Sequence, residues 1–419
     1  MGNSKLNTKW LFFALSYCGI LCFLAFYKLT GDKALVWVAQ ENNPYMVGVD
    51  YFRHIEFSMR GADLYNYVED VNGCFPAFAY VLYHLLFRLS SPDGGGPHDW
   101  VVWGTPRRYQ IVYFGYLLFT AGLIFLGVYL HLRRKKHGFL KVCLLSFSIL
   151  FSAAFLGSGF LVGNSTMTVV GVLLIGLYLK DCDSAIAKEA ALFLIAACAG
   201  LKLYPAVFGF MYLKEKRWAE TVRLALYGIV IFTVPFYWFG GIEGAKLWIG
   251  HILGTMGGTE YGRIQFIKGL TYMILAKLSG SETSAIAQTG SSIMPLVFLV
   301  LMIALGTLSR SRFRTILFYT CAMIFFPSNA FRYTLGYMAI PLVYWFVSSE
   351  QKNSILTGIT DVLFGNIFTI PMWFGVLTGF ALNLGYFTLT YVELWIYTAA
   401  YLLLLMEIII ECCSLASGK

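Results

Sequence analysis

The chain has 419 residues, of which 58% are hydrophobic and 13% charged, with 36 Phe, 27 Tyr and 10 Trp. So few charges cannot clothe a water-facing surface of that size, which excludes a set of soluble domains. The net charge of +9 does not mark a nucleic-acid binder, because the basic residues fall in short clusters between apolar runs, the pattern that fixes membrane orientation.

Mean hydropathy is +0.68. Apolar runs of about 20 residues match the length of helix that crosses a bilayer core, and the short alternating segments of a membrane barrel are absent. The composition therefore predicts an all-α, polytopic integral membrane protein with about 10–12 transmembrane helices. The nine cysteines show no paired-ligand spacing. Cys412-Cys413, at the end of the last run, are weak acylation candidates, and the N-terminus lacks the hydroxyl residue that myristoylation favours.

The first helix is predicted over Trp10–Leu29, an anchor rather than a cleaved signal, with Lys5 and Lys9 holding the N-terminus in the cytoplasm. Residues 30–108 form the longest polar stretch and carry nine of the 22 acids, the kind of loop that is functional rather than connecting. The next span, Tyr109–Leu132, ends at Arg133-Arg134-Lys135-Lys136-His137, a basic cluster that belongs in the cytoplasm. Cys74–Leu89 is then too short and too charged to cross, and is predicted to lie in the outer interface, which leaves 30–108 extracytoplasmic. Phe139–Gly157 and Phe160–Leu179 read as a hairpin of spans. Ala187–Leu213 is broken at Leu201-Lys202-Leu203-Tyr204-Pro205, because proline removes a helix hydrogen bond, and two half-helices return the chain to the cytoplasm. Thr221–Phe239 goes outward, Gly240–Ser291 is a second outer loop with a surface helix near Phe266–Lys277, and later spans fall near 293–308, 315–326, 334–347, 356–377 and 391–410. Both termini are then cytoplasmic.

Asp50, in Gly48-Val49-Asp50-Tyr51-Phe52-Arg53-His54, is the first chemical candidate. A carboxylate just past the first helix can accept a proton from a hydroxyl nucleophile; a solvated loop acid is the alternative. Arg263, Lys268 and Arg332 are basic residues on the outer side, where orientation does not demand them. Guanidinium and ammonium groups there can grip phosphate, although lipid headgroups compete for the same contacts. Lys202 lies in an apolar stretch and is a functional candidate on that ground, although snorkelling to the cytoplasmic interface is the favoured structural alternative. Glu260 can orient Arg263 or bind a sugar hydroxyl, or be a plain loop acid. Asn164 in Gly163-Asn164-Ser165 is expected to cap the following helix. No nucleotide loop or hydrolase motif is present, so energy or activated groups come from a lipid or a gradient.

Taken in order, these pieces resemble a C-type glycosyltransferase (GT-C), and most closely glycosyltransferase family 87, which includes polyprenyl-phosphate-mannose-dependent mannosyltransferases. The resemblance rests on Asp50 followed by Gly61-Ala62-Asp63-Leu64-Tyr65, on Phe75-Pro76, on Gly163-Asn164-Ser165 and on Leu201-Lys202-Leu203-Tyr204-Pro205 followed by Lys216-Arg217-Trp218. It covers about residues 10–345. It implies a catalytic module over 1–348 followed by C-terminal transmembrane helices over 349–419. It also implies transfer of a hexose or pentose, with inversion, from a polyprenyl-phosphate donor to a glycolipid or glycan acceptor on the extracytoplasmic face. In that reading Asp50 is the general base, Arg332, Arg263 and Lys268 hold the donor phosphate, and Arg53, His54, Tyr65, Glu260, Tyr333 and Lys202 contact substrate. This chain has Arg332-Tyr333 where the family often has His-Tyr, which bears on donor or acceptor preference. No metal or other cofactor is indicated, and membrane lipids, not nucleic acid, are the partners. Compact loops favour a bacterial plasma membrane. A secondary transporter, which should show a repeated half, and a non-catalytic lipid-binding subunit are the rival classes.

Overall fold

A computed structural model describes residues 8–30, 47–67, 75–152, 154–257, 266–281, 284–327, 332–348 and 387–417. Every regular element among them is helical, as expected where backbone groups must be satisfied within one segment in lipid. Among the described residues, five runs are long and apolar enough to cross a membrane: Lys9–Leu29, Arg107–Arg134, Trp218–Trp238, Ala285–Leu308 and Tyr397–Ala416. They lie in α1 (Thr8–Thr30), α5 (Arg107–Arg134), α10 (Trp218–Thr233) with the 3-10 stretch Val234–Trp238 that continues it, α13 (Ala285–Leu308) and α16 (Phe387–Ala416).

The remaining helices are shorter. Before α5 come α2 (Val49–Ser58), α3 (Leu64–Tyr67) and α4 (Ala77–Ser90). After it come α6 (Phe139–Leu150), α7 (Thr166–Leu179), α8 (Ala185–Leu201) and α9 (Phe210–Lys214). The second half adds α11 (Gly241–Gly257), α12 (Ile267–Ser279), α14 (Arg312–Phe325) and α15 (Ala339–Val347). With its 14 residues, α4 is about 21 Å long at 1.5 Å per residue, short of a bilayer core, and it packs on α2.

The packing runs α5 on α7, α7 on α8, α8 on α10, then α12 on α13, α13 on α14 and α14 on α15. The α5–α7 crossing is close because it is made of glycines. A Cβ on Gly127 would stand 2.7 Å from that of Leu174, and one on Gly171 2.7 Å from that of Leu123. Small residues at such crossings let helix backbones approach without a hydrophobic driving force.

Three boundaries differ from the sequence expectation. The hairpin turn is not at 158–159. The chain continues as a π-helix over Ala154–Leu161 and α7 starts only at Thr166, because the caps sit in Gly163-Asn164-Ser165. The segment 240–291, expected to be an outer loop, holds an additional helix, α11. Finally, α13 starts at Ala285 and accommodates Pro295 inside it. The expected span at 356–377, and with it most of the 349–419 segment, lies outside the described residues.

One end of the bundle collects the basic clusters. Lys9 donates to Phe346 O at 2.5 Å, Arg134 to Asp181 O at 2.9 Å, and Lys180 to both Glu215 oxygens at 2.5 Å. Arg312 pairs with Asp181, and Arg217 with Glu220 at 2.7 Å. Chain segments 132–137, 180–184, 214–217 and 309–314 therefore share one end, as the positive clusters require if they face one compartment. From Ser184 at that end, the 17 residues of α8 climb about 25 Å to Lys202. The chain then turns through a 3-10 stretch, Tyr204–Gly209, and returns by α9, where Lys214 donates to Gly306 O at 3.0 Å.

Candidate active site

That hairpin overturns the snorkelling account of Lys202. Its tip is a helix length away from the basic end, and the Lys202 side chain is 3% exposed. The break puts the lysine far from that end because α8 runs unbroken for 17 residues before it.

The partner segment is built by two backbone hydrogen bonds, Gly48 N–H to Leu161 O at 2.5 Å and Asp50 N–H to Val162 O at 3.0 Å. Both segments turn at glycines with positive φ, +87° at Gly48 and +76° at Gly163, a conformation in which a Cβ is strained. A Cβ on Gly163 would also stand 2.8 Å from the Cβ of Tyr51. The chain thereby brings the start of α2 against the start of α7.

Asp50 is in the first turn of α2, where the helix dipole favours an anion. Asn164, 3% exposed, donates from Nδ2 to Asp50 Oδ2 at 2.8 Å. Its Oδ1 accepts from the Thr166 N–H at 3.0 Å and the Thr166 hydroxyl at 2.8 Å. The expected capping role is thus present, and the two donors on Oδ1 leave the amide nitrogen to face the carboxylate. Asp50 Oδ1 makes no hydrogen bond to a described residue and remains available to accept a proton. Asp50 keeps some accessible surface. Burial nevertheless dominates and raises its carboxyl pKa above the ordinary aspartate value, opposed by the Asn164 hydrogen bond and then by the charges of Lys202 and Arg53.

The rest of the cage is aromatic. His54, one helical turn beyond Asp50, is 4% exposed and stacks on Phe75 with centroids 4.2 Å apart. Its Nδ1 has no hydrogen-bond partner among the described residues. Burial, then the nearby Lys202 and Arg53, pushes its pKa well below the usual histidine value, so the ring is neutral. The Lys202 ammonium lies 3.8 Å from the Phe75 ring centroid and 5.0 Å from that of Tyr333, both cation–π distances. The Arg53 guanidinium covers Trp100 at 4.8 Å, whose indole donates to Glu56 at 2.5 Å.

The structure thus gathers Asp50, Arg53, His54, Lys202 and Tyr333. Tyr65, expected to contact substrate, is 1% exposed, and its hydroxyl donates to Phe75 O at 2.9 Å, the residue whose ring bears the Lys202 ammonium. Lys268 is buried in the first turn of α12 and is not among the charges that act on Asp50. Glu260, Arg263 and the Arg332 side chain lie outside the described residues. Asn164 as a carboxylate partner and Phe75 as a platform were missed by sequence reasoning. A capping asparagine and an asparagine that binds a carboxylate look the same in one dimension, and an aromatic before proline carries no chemical signature.

The arrangement offers a desolvated carboxylate held by one oxygen, with an adjacent cation that has no described oxygen partner. It suits removal of a proton from a hydroxyl beside a bound anion. No group of three or more candidate metal ligands occurs among the described residues. Residues 102–331 match the family model described as glycosyltransferase family 87, a segment that contains Asn164 and Lys202 and begins after Asp50. No curated protein and no solved structure matches the chain.

Proposed function

The chain belongs to glycosyltransferase family 87 and is a membrane glycosyltransferase, and from that premise we propose that it transfers a sugar from a polyprenyl-phosphate donor to an acceptor hydroxyl, with Asp50 as general base. The observation that carries this reading is the Asn164-held carboxylate on the same helix as His54, which stacks on the Phe75 ring that also bears the Lys202 ammonium. Asp50 takes the proton of the acceptor hydroxyl as that oxygen attacks the anomeric carbon. The bond from carbon to the phosphate oxygen breaks, its electron pair leaves with the phosphate, and the configuration inverts. The acceptor is a lipid-linked sugar or glycan. The basic end is assigned to the cytoplasm and the Asp50 end to the outer face of the plasma membrane.

Incubation of the purified protein with a panel of polyprenyl-phosphate sugars and glycolipid acceptors, read by mass spectrometry, tests the reading. A sugar-extended acceptor together with released polyprenyl phosphate is the expected result. Transfer from nucleotide sugars alone would refute the donor assignment.

The raised pKa of Asp50 has a consequence for pH. A base works only when deprotonated, so kcat/KM is expected to fall as pH drops through a value above the ordinary aspartate range. Asn164 stabilises the charged form, so Asn164→Ala raises that pKa further and shifts the acid limb to higher pH. Rate profiles of the two proteins check this; superimposable acid limbs contradict the role given to Asn164.

A further inference from the structure

Lys202 is held by chain geometry and not by an anion. Pro205 stops α8 from continuing, and Lys202 adopts an extended backbone with φ −146°, fixed on both sides by the hairpin. Its ammonium is flanked by two ring faces and makes neither a hydrogen bond nor an ion pair to any described residue. A buried ammonium without oxygen partners is expensive, and the two rings recover only part of that cost. Its charge nevertheless reaches Asp50. The other nearby cation, Arg53, lies over Trp100 and likewise keeps a buried Nε without a hydrogen-bond partner among the described residues.

On the reading of this site as a polyprenyl-phosphate-dependent transferase, we infer that Lys202 serves two anions in turn, the Asp50 carboxylate before transfer and the departing lipid phosphate after it. The donor is a phosphodiester with one negative charge. As the sugar leaves, the phosphate oxygen gains the bonding electron pair and a second negative charge, while Asp50 becomes neutral by taking the acceptor proton. Total charge is unchanged, but one unit moves from the carboxylate to the phosphate. A cation fixed within reach of both compensates that displacement without having to be reorganised.

The test measures binding of undecaprenyl phosphate, with undecaprenol as the uncharged control, to detergent-purified wild type, Lys202→Met, Lys202→Arg, Asp50→Asn and the Asp50→Asn/Lys202→Met double variant. Lys202→Met is expected to weaken phosphate binding by about tenfold or more, while Lys202→Arg retains most of it. Asparagine imitates the protonated carboxyl, so Asp50→Asn is expected to tighten phosphate binding severalfold, and that gain disappears in the double variant. Undecaprenol affinity stays constant throughout. Equal phosphate affinity in wild type and Lys202→Met overturns the inference and leaves the donor reading intact. Loss of both lipids alike in Lys202→Met assigns the residue to packing and also overturns it. A wild type that does not prefer the phosphate to the alcohol overturns both the inference and the donor reading.

Discussion

Asp50→Asn is expected to lower kcat/KM by about 10²- to 10⁴-fold, the range for loss of a positioned general base, while the protein still folds. The substitution is nearly isosteric. The carboxamide oxygen can take the place of Oδ2 and still accept from Asn164, so the α2–α7 junction survives. What disappears is a basic oxygen. The acceptor hydroxyl must then lose its proton to water inside an aromatic cage, which raises the barrier without changing how the donor is held. The fall should therefore appear in kcat, with donor KM not raised. Steady-state kinetics alongside a melting curve check both halves. Full activity in Asp50→Asn would remove the mechanism, and a collapsed melting temperature would make Asp50 a structural residue.

The second large effect lies at the basic end. Arg314 on α14 donates from Nε to Glu407 at 3.1 Å and from NH1 to Glu411 at 3.5 Å. The two glutamates are 0% and 2% exposed, one turn apart on α16, so a single guanidinium faces two buried carboxylates. Arg314→Met keeps the aliphatic stem but leaves those acids without this cation, a change of the kind that destabilises by about 3–5 kcal/mol. A marked drop in melting temperature in detergent is expected. Replacing both glutamates with glutamine in the same background should restore most of it, because the cost belongs to the uncompensated charges and not to lost packing. An Arg314→Met protein that melts like the wild type would show that α16 is not held to α14 through this contact.

Composition alone revealed the fold class, because a chain with so few charges has no other way to bury itself. The long uninterrupted spans, α1, α5 and the Trp218–Trp238 run, were equally plain. Interrupted segments were not. In the hairpin over 139–179, apolar residues continue across the real turn, and only the cap at Asn164 stops the helix. The helix α11 begins at Gly240-Gly241, a signal that reads as a loop. Proline at 205 announces a break without its depth. Counting the 17 residues of α8 from the Ser184 cap would have carried Lys202 to the far end of the bundle. Asp50 could be singled out in the sequence, but its partners come from residue 164 and residue 202, so their convergence belongs to tertiary packing. The identity of Phe75 as a shared platform for His54 and Lys202 is of the same kind.

Loss of activity in Asp50→Asn does not by itself distinguish a base from a nucleophile, and the stereochemistry of the product does. A carboxylate that activates the acceptor hydroxyl gives one displacement at the anomeric carbon, whereas a carboxylate that attacks that carbon gives two. The decisive measurement is the anomeric configuration of the newly formed glycoside, read by NMR from the one-bond carbon–hydrogen coupling, against that of the polyprenyl-phosphate sugar supplied. Opposite configurations in product and donor are the expected result. The same configuration in both would contradict it.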